Sequence, residues 1–293
     1  MRLPAVAALL LLAGCAHRVA PGVVATPRYV VGAAYERAGV WHYPRESFQA
    51  EATGLAERLP DRVGLTADGE AFDPTAMAAA HATLQLPAII GVTNLETGRQ
   101  VRLRLNDRGP DHPGRVLGLT RRAADLLGVP ASAPAQIRFE VESGPSQALR
   151  DQLQGGAKGV VAAPRGVVTA ESLPAPAGAA SRASRVASLS SAAPVATEAD
   201  AALPDRLPET VRQVAPEPGQ LWIRAGQFSQ ARYANLLKSK LSALPVLVRR
   251  GSAQASAAGF VVMAGPFASV ATADAALDQA RAAGVTDAVI VVE

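Results

Sequence analysis

Ala88-Ile89-Ile90-Gly91-Val92-Thr93-Asn94 and Gln100-Val101-Arg102-Leu103-Arg104-Leu105 are apolar, β-branched runs separated by Leu95-Glu96-Thr97-Gly98-Arg99, whose glycine permits a tight turn. They predict a β-hairpin, and Gln136 to Val141 alternates in the same way and predicts a further strand. Two short helices are expected between and around these runs. The first opens at Asp73-Pro74, an N-cap followed by proline at the first helical position, and carries Met77, Ala80 and Leu84 on one side. Thr120 caps the second, Arg121 to Leu127, which stops at Gly128 with Pro130 beyond it. Short strands interrupted by one- or two-turn helices make a compact barrel the expected architecture of residues 49–143.

Downstream the pattern changes. Residues 145 to 216 lack Phe, Trp, Tyr, Met, His and Cys and are dominated by Ala, Pro, Ser, Gly and Val. Such a stretch cannot offset the entropy of ordering, so residues 144–217 read as a disordered linker. A flexible chain of about 70 residues spans roughly 45 Å, enough for two tethered domains to reach different points of one polymer. Residues 218–293 then alternate strands and helices. Leu221 to Ala225, Val246 to Arg249, Phe260 to Ala264 and Ala288 to Val292 read as strands; Gln230 to Leu244 and Thr272 to Ala283 read as helices. The order βαββαβ is that of a ferredoxin-like or ribonucleoprotein-like sandwich with its helices on one side of the sheet. The chain is thus mainly β plus α+β.

The chain begins Met1-Arg2, runs through apolar residues to Ala13, and reaches Leu12-Ala13-Gly14-Cys15. That apolar stretch is shorter than the ~20 residues a permanent membrane helix needs, so it reads as an export signal that is removed. Cys15 is the only cysteine, which excludes an intrachain disulfide. Its setting resembles the bacterial lipoprotein box. That resemblance implies cleavage before Cys15 and lipidation of its sulfur and amino group, at ~0.8 kcal/mol of anchoring per buried methylene. Ala16 in place of Asp points to the outer membrane. The 29 basic residues exceed the 25 acidic ones by only four, a modest excess that suits an anionic wall polymer. Export leaves no place for nucleic acid as a partner.

Four motifs are similar, in order and spacing, to the double-psi β-barrel domain of the rare lipoprotein A family. They are Gly64-Leu65-Thr66-Ala67-Asp68-Gly69-Glu70-Ala71-Phe72-Asp73, Ala79-Ala80-His81-Ala82-Thr83-Leu84, Val92-Thr93-Asn94-Leu95 and Asn106-Asp107-Arg108-Gly109-Pro110. The resemblance implies a lytic transglycosylase, a lyase that acts on peptidoglycan glycan strands stripped of stem peptides. It places the family's acidic and histidine positions on Glu70, Asp73, His81 and Asp107. Ile223-Arg224-Ala225-Gly226-Gln227-Phe228-Ser229 and Val262-Met263-Ala264-Gly265-Pro266-Phe267 resemble the two half-repeats of the sporulation-related repeat domain. Members of that family bind denuded glycan at the division site. Two departures stand out: Glu51-Ala52-Thr53-Gly54 where many relatives have Ser-Trp-Tyr-Gly, and Gly118 where many have an aspartate.

Cleavage of a β-1,4 glycosidic bond needs a proton on the leaving oxygen as an oxocarbenium-like centre develops. When the sugar's own 6-hydroxyl attacks, leaving a 1,6-anhydro ring, one carboxyl group can serve as acid and then base. Glu70 and Asp107 are the expected reactive pair. Asp73 is expected as a cap that positions the residues after it, and His81 as a hydrogen-bonding partner of a carboxylate or sugar hydroxyl. Trp222, Arg224, Gln227, Met263 and Phe267 are expected to meet sugar. No cofactor is called for, and His17, His42, His81 and His112 show no metal-ligand spacing. The expected protein is a lipid-anchored periplasmic endolytic enzyme enriched at the septum. Its expected partners are glycan strands and the membrane, with division proteins admitted. The competing reading is an inactive wall-binding lipoprotein, and a weaker one a plain hydrolase.

Overall fold

The computed structural model describes residues 24–154, 206–251 and 259–293. Cys15 and most of the predicted linker lie outside the described residues. A strap leads in, with the small hairpin β1 (Tyr35–Arg37) and β2 (Val40–His42), and it lies along the barrel. The barrel is built from β3 (Glu51–Arg58), β4 (Ala78–Ala80), β5 (Ala88–Asn94), β6 (Arg99–Asp107), β7 (Arg115–Leu119) and β8 (Ala135–Val141). Their order is β4-β7-β3-β8-β5-β6, and pairing of β4 with β6 closes the ring. β3–β7 and β4–β6 are parallel while the other pairs are antiparallel, as a double-psi barrel requires.

The hairpin reading of β5 and β6 holds, with Thr93 opposite Gln100 and Ala88 opposite Leu105. Strand alternation sends Leu103, Leu105, Ile137 and Phe139 into one fully enclosed core. Helix α1 (Arg121–Leu127) keeps its predicted bounds: Thr120 caps it, and Gly128 closes it in the left-handed conformation at φ 75°. The helix expected from Asp73-Pro74 does not form. Asp73 instead closes a tight turn, its carboxylate accepting from the Thr75 amide at 2.7 Å, and Ala78–Ala80 becomes β4. The local N-cap signal is real but serves one turn. Alanines without bulk allow that short strand to fit, fully buried, between β6 and β7.

The predicted linker is shortened at both ends. Residues Ser143–Gln154 form helix α2, which buries Ser146 and Leu149; the Ser146 hydroxyl accepts from the Ile89 amide at 2.9 Å. Residues 206–219 run back along the barrel. There β9 (Arg212–Gln213) pairs with the start of β6, Val214 N–H donates to Gly98 O at 2.8 Å, and Glu217 N–H donates to Leu95 O at 2.8 Å.

The C-terminal unit has the predicted βαββαβ order: β10 (Leu221–Phe228), α3 (Ala231–Lys240), β11 (Val246–Arg250), β12 (Phe260–Phe267), α4 (Val270–Ala282) and β13 (Val289–Val292). Its sheet order is β11-β12-β10-β13, all antiparallel. Both helices cover one face, burying Ile223, Val262, Ala264, Leu277 and Ile290.

The two units pack against each other, which their composition did not announce. Strand β13 lies against β3, where the Thr53 hydroxyl donates to Val292 O at 2.7 Å and accepts from its amide at 3.2 Å. Arg115 on β7 makes a two-pronged pair with Asp274 on α4, at 2.7 and 2.8 Å. The small residues Ala52-Thr53-Gly54 are part of the reason, since a Cβ on Gly54 would stand 2.9 Å from Val116 and 3.1 Å from Ile290 O. Gly114 is the tightest point: a Cβ there would meet Leu277 at 2.6 Å, and its φ is 76°. Gly114→Leu is therefore expected to open the seam and raise the radius of gyration in small-angle scattering. Asp274→Arg, which sets like charges together without touching that backbone, should do the same. Unchanged scattering for both variants would show that the contact contributes nothing in solution.

Candidate active site

The site is assembled at the end of β6 by a loop that folds over it. Residues 62–72 form a narrow lobe closed by the Leu65–Ala71 bridge, the Thr66 amide donating to Glu70 O at 2.8 Å and the Gly69 amide to Thr66 O at 3.0 Å. Gly69 is required there. Its φ is 88°, and a Cβ would lie 2.4 Å from Thr26 O, because the strap runs directly over the lobe. The strap's Thr26 and Arg28 amides donate to Gly69 O and Asp68 O at 2.9 and 2.8 Å.

β6 ends irregularly. Opposite β4 its register passes from Leu105 to Asp107, skipping Asn106, and such a bulge re-aims the side chains beside it. Both residues reach the lobe: Asn106 Nδ2 donates to Glu70 Oε2 at 2.8 Å, and Asp107 Oδ1 accepts from the Ala67 amide at 3.0 Å. Asp107, the last residue of β6, thereby meets the lobe that carries Glu70. Each also has a guanidinium, Arg104 on Glu70 and Arg62 on Asp107. The two arginines differ in exposure. Arg104 is 14% exposed and fixed among strands, whereas Arg62 is 38% exposed, lies on the loop and rests on the Phe72 ring.

His81 follows β4, and its amide donates to Asp107 O at 3.0 Å, which couples the two residues through the backbone. Its Nδ1 accepts from the Thr83 and Leu84 amides, both at 3.1 Å. Burial, then Arg108, then His42 and Arg45 push its pKa down to about 3. The ring is therefore neutral with its proton on Nε2, a fixed hydrogen-bond donor rather than an acid. Asp73 stands apart as a turn residue whose other oxygen meets Arg206 at 3.2 Å.

Asp68 was passed over in the sequence as part of a turn. Its side chain is fully buried; Oδ1 accepts from the Thr66 hydroxyl at 2.6 Å and the Glu70 amide at 3.2 Å, while Oδ2 has no partner among the described residues. Burial first, and the Glu70 carboxylate second, raise its pKa to about 7. Two carboxylates two residues apart in a glycine-bearing lobe were the signal that could have marked it.

In the C-terminal unit the expected sugar-facing set divides. Trp222 and Met263 are only 6% and 2% exposed and pack with Val291 on the sheet face away from the helices, Trp222 beneath Arg249 at 4.7 Å. Phe267 packs on the helix-side core. All three are mostly packed into the fold, although Met263 also reaches the lining of the cleft between the two units. Arg224 and Gln227 remain exposed and line a cleft of about 900 Å³, which His81 also lines from the barrel side. At Gly118 a Cβ would lie 2.5 Å from the Leu59 side chain, which occupies the space a carboxylate would need. No group of three or more metal-ligating side chains occurs among the described residues, and no helix among them is long and apolar enough to cross a membrane.

Comparison with known proteins bears on both units. Residues 51–139 match the family described as Lytic transglycolase, and residues 217–291 match the SPOR domain. Proteins named endolytic peptidoglycan transglycosylase RlpA are similar. The one from Yersinia pestis is 48% identical over 88 residues, covering 29% of this chain and 24% of its own. The Pseudomonas aeruginosa one is 35% identical over 193 residues, covering 62% of this chain and 53% of its own. The Escherichia coli K12 one is 43% identical over 94 residues, 32% of this chain and 26% of its own. The chain thus spans between about a quarter and about half of the length of these curated relatives.

Proposed function

We propose that the chain is an endolytic peptidoglycan transglycosylase acting on glycan strands without stem peptides, on the strength of the match of residues 51–139 to the lytic transglycolase family and of residues 217–291 to the SPOR domain. The observation that carries this reading is the contact of Asn106 and Asp107, at the end of β6, with the lobe that carries Glu70, with neutral His81 tied to Asp107. The difference between their arginines divides the labour. A strand entering over the lobe displaces the exposed Arg62, and Asp107 is then open to the bridge oxygen as its proton donor. Glu70, clamped by Arg104 and Asn106, supplies the second carboxyl group, placed to stabilise the positive anomeric centre. Asp107 then takes the proton of the 6-hydroxyl as that oxygen closes the anhydro ring. The Nε2 proton of His81 is free to orient a sugar hydroxyl.

The test is product chemistry. Amidase-treated sacculi digested with the protein should yield 1,6-anhydro ends; reducing ends would indicate a hydrolase, and no cleavage a binder. The binder reading has Gly118 in its favour, since the packing of Leu59 leaves no second carboxylate at that corner. Lipidation at Cys15, outer-membrane retention and septal enrichment belong to the same proposal, on the strength of Leu12-Ala13-Gly14-Cys15 and the SPOR match.

A further inference from the structure

The cleft between the two units is unusual in its charge. Seven arginines line it against four acidic residues, so its walls are net positive. Three of the acids are already engaged, Glu51 with Arg138 at 4.0 Å, Asp111 with Arg37 at 3.1 Å and Glu293 with Arg249. Arg115 is committed to Asp274 across the domain seam, and Arg281 donates to Ala38 O at 2.6 Å. Three arginines are left. Arg45 on the strap, Arg224 on β10 and Arg250 on β11 form no ion pair with any described residue, although all three face the same space. Arg224 is accessible to solvent, yet its crowded setting in the cleft desolvates it enough to disfavour the charge, with Glu293 only partly compensating. A guanidinium kept in a cleft without a bound acid costs free energy that a carboxylate ligand would return, through two parallel charge-assisted hydrogen bonds.

We propose that this cleft binds one glycan strand against both domains, and that Arg45, Arg224 and Arg250 recognise the free lactyl carboxylates of its muramic acid residues. The inference rests on the glycan-cleaving reading and adds the chemical feature that is read. On a peptide-bearing strand each lactyl carboxyl is an amide and carries no charge. Removal of the stem peptide exposes one carboxylate per disaccharide, so naked strands differ from substituted ones in charge as well as in bulk. His81, on the barrel wall of the same cleft, links this binding to the reactive corner, since its amide is bonded to Asp107 O. The docked arrangement of the domains gives one strand access to both walls.

The experiment uses the full-length chain in detergent. The probes are naked glycan strands from amidase-treated sacculi and the same strands after carbodiimide coupling of their carboxyls to methylamine, a group too small to clash. Carboxylate recognition predicts at least about tenfold weaker binding of the amidated strands, with a shallower salt dependence. Arg224→Gln and Arg250→Gln should each weaken binding of the natural strands several-fold and leave the amidated ones unchanged, a difference that a merely structural role would not produce. Equal affinity for both probes, or variants that weaken both alike, would overturn the inference. Anhydro ends formed with amidation-insensitive binding would remove this inference and leave the enzymatic reading intact. Carboxylate-dependent binding without anhydro ends would do the reverse.

Discussion

Asp107→Asn and Glu70→Gln are each expected to lower the release of anhydro ends by about 10²- to 10⁴-fold, the usual range for loss of a positioned proton-transfer group. The two variants should differ in a telling way. Asparagine at 107 can still accept from the Ala67 and Arg108 amides, which now hold Oδ1 at 3.0 and 2.8 Å, so the loop keeps its place while the proton is lost. Glutamine at 70 removes the charge facing Arg104, leaving a mostly buried guanidinium without its counter-ion and costing stability as well as rate. Asp107→Asn should therefore unfold at nearly the wild-type denaturant midpoint and Glu70→Gln at a lower one. Retention of full rate by Asp107→Asn would remove it from the chemistry. Because the effects of groups acting together are not additive, the double variant should be little slower than the slower single one.

What was legible in the sequence was whatever depended on local pattern. The β5–β6 hairpin, the capped α1 with Gly128 behind it and the whole C-terminal alternation arise from periodicity and caps, and they form where expected. Asp73-Pro74 misled because the same short-range signal opens a helix or closes a turn, and only the closed ring, which needs a strand between β6 and β7, decides between them. Trp222 and Met263 are more buried than alternation alone suggests. Alternation correctly sent them to the face opposite the helices, but burial on that face depends on what covers it. The docking of the units was invisible, since it rests on the absence of side chains at Gly54 and Gly114 and on one long-range pair, Arg115 with Asp274. The candidates Glu70, His81 and Asp107 came from the resemblance to the family motifs, and the structure sets the end of β6 against the lobe that carries Glu70. Their division of roles needed the exposure of Arg62 and Arg104, a property of packing.

Asp68→Asn carries the second large effect, on stability and its dependence on pH. The buried carboxyl has its pKa raised from 3.8 to about 7, first by desolvation and then by Glu70, with the Thr66 hydroxyl, the Glu70 amide and Arg104 opposing. A raised value means that the folded protein binds a proton that the unfolded chain has already released. Stability from this group is thus full below about pH 4 and falls as pH rises through the window up to about 7. At about 1.4 kcal/mol per unit the loss is roughly 4 kcal/mol by pH 8. Asparagine keeps an oxygen for Thr66 and Glu70 and has nothing to ionise. The variant's barrel should accordingly match or fall slightly below the wild type in urea at pH 5 and exceed it at pH 8, with the largest gap where Asp68 is charged. Parallel stability curves for the two proteins would mean that Asp68 stays ionised in the fold, with water or a shifted Arg104 reaching its second oxygen. Persistence of the gap in high salt would identify desolvation as its source, because a buried carboxyl is beyond the reach of mobile ions, whereas the influence of neighbouring exposed charges would fade.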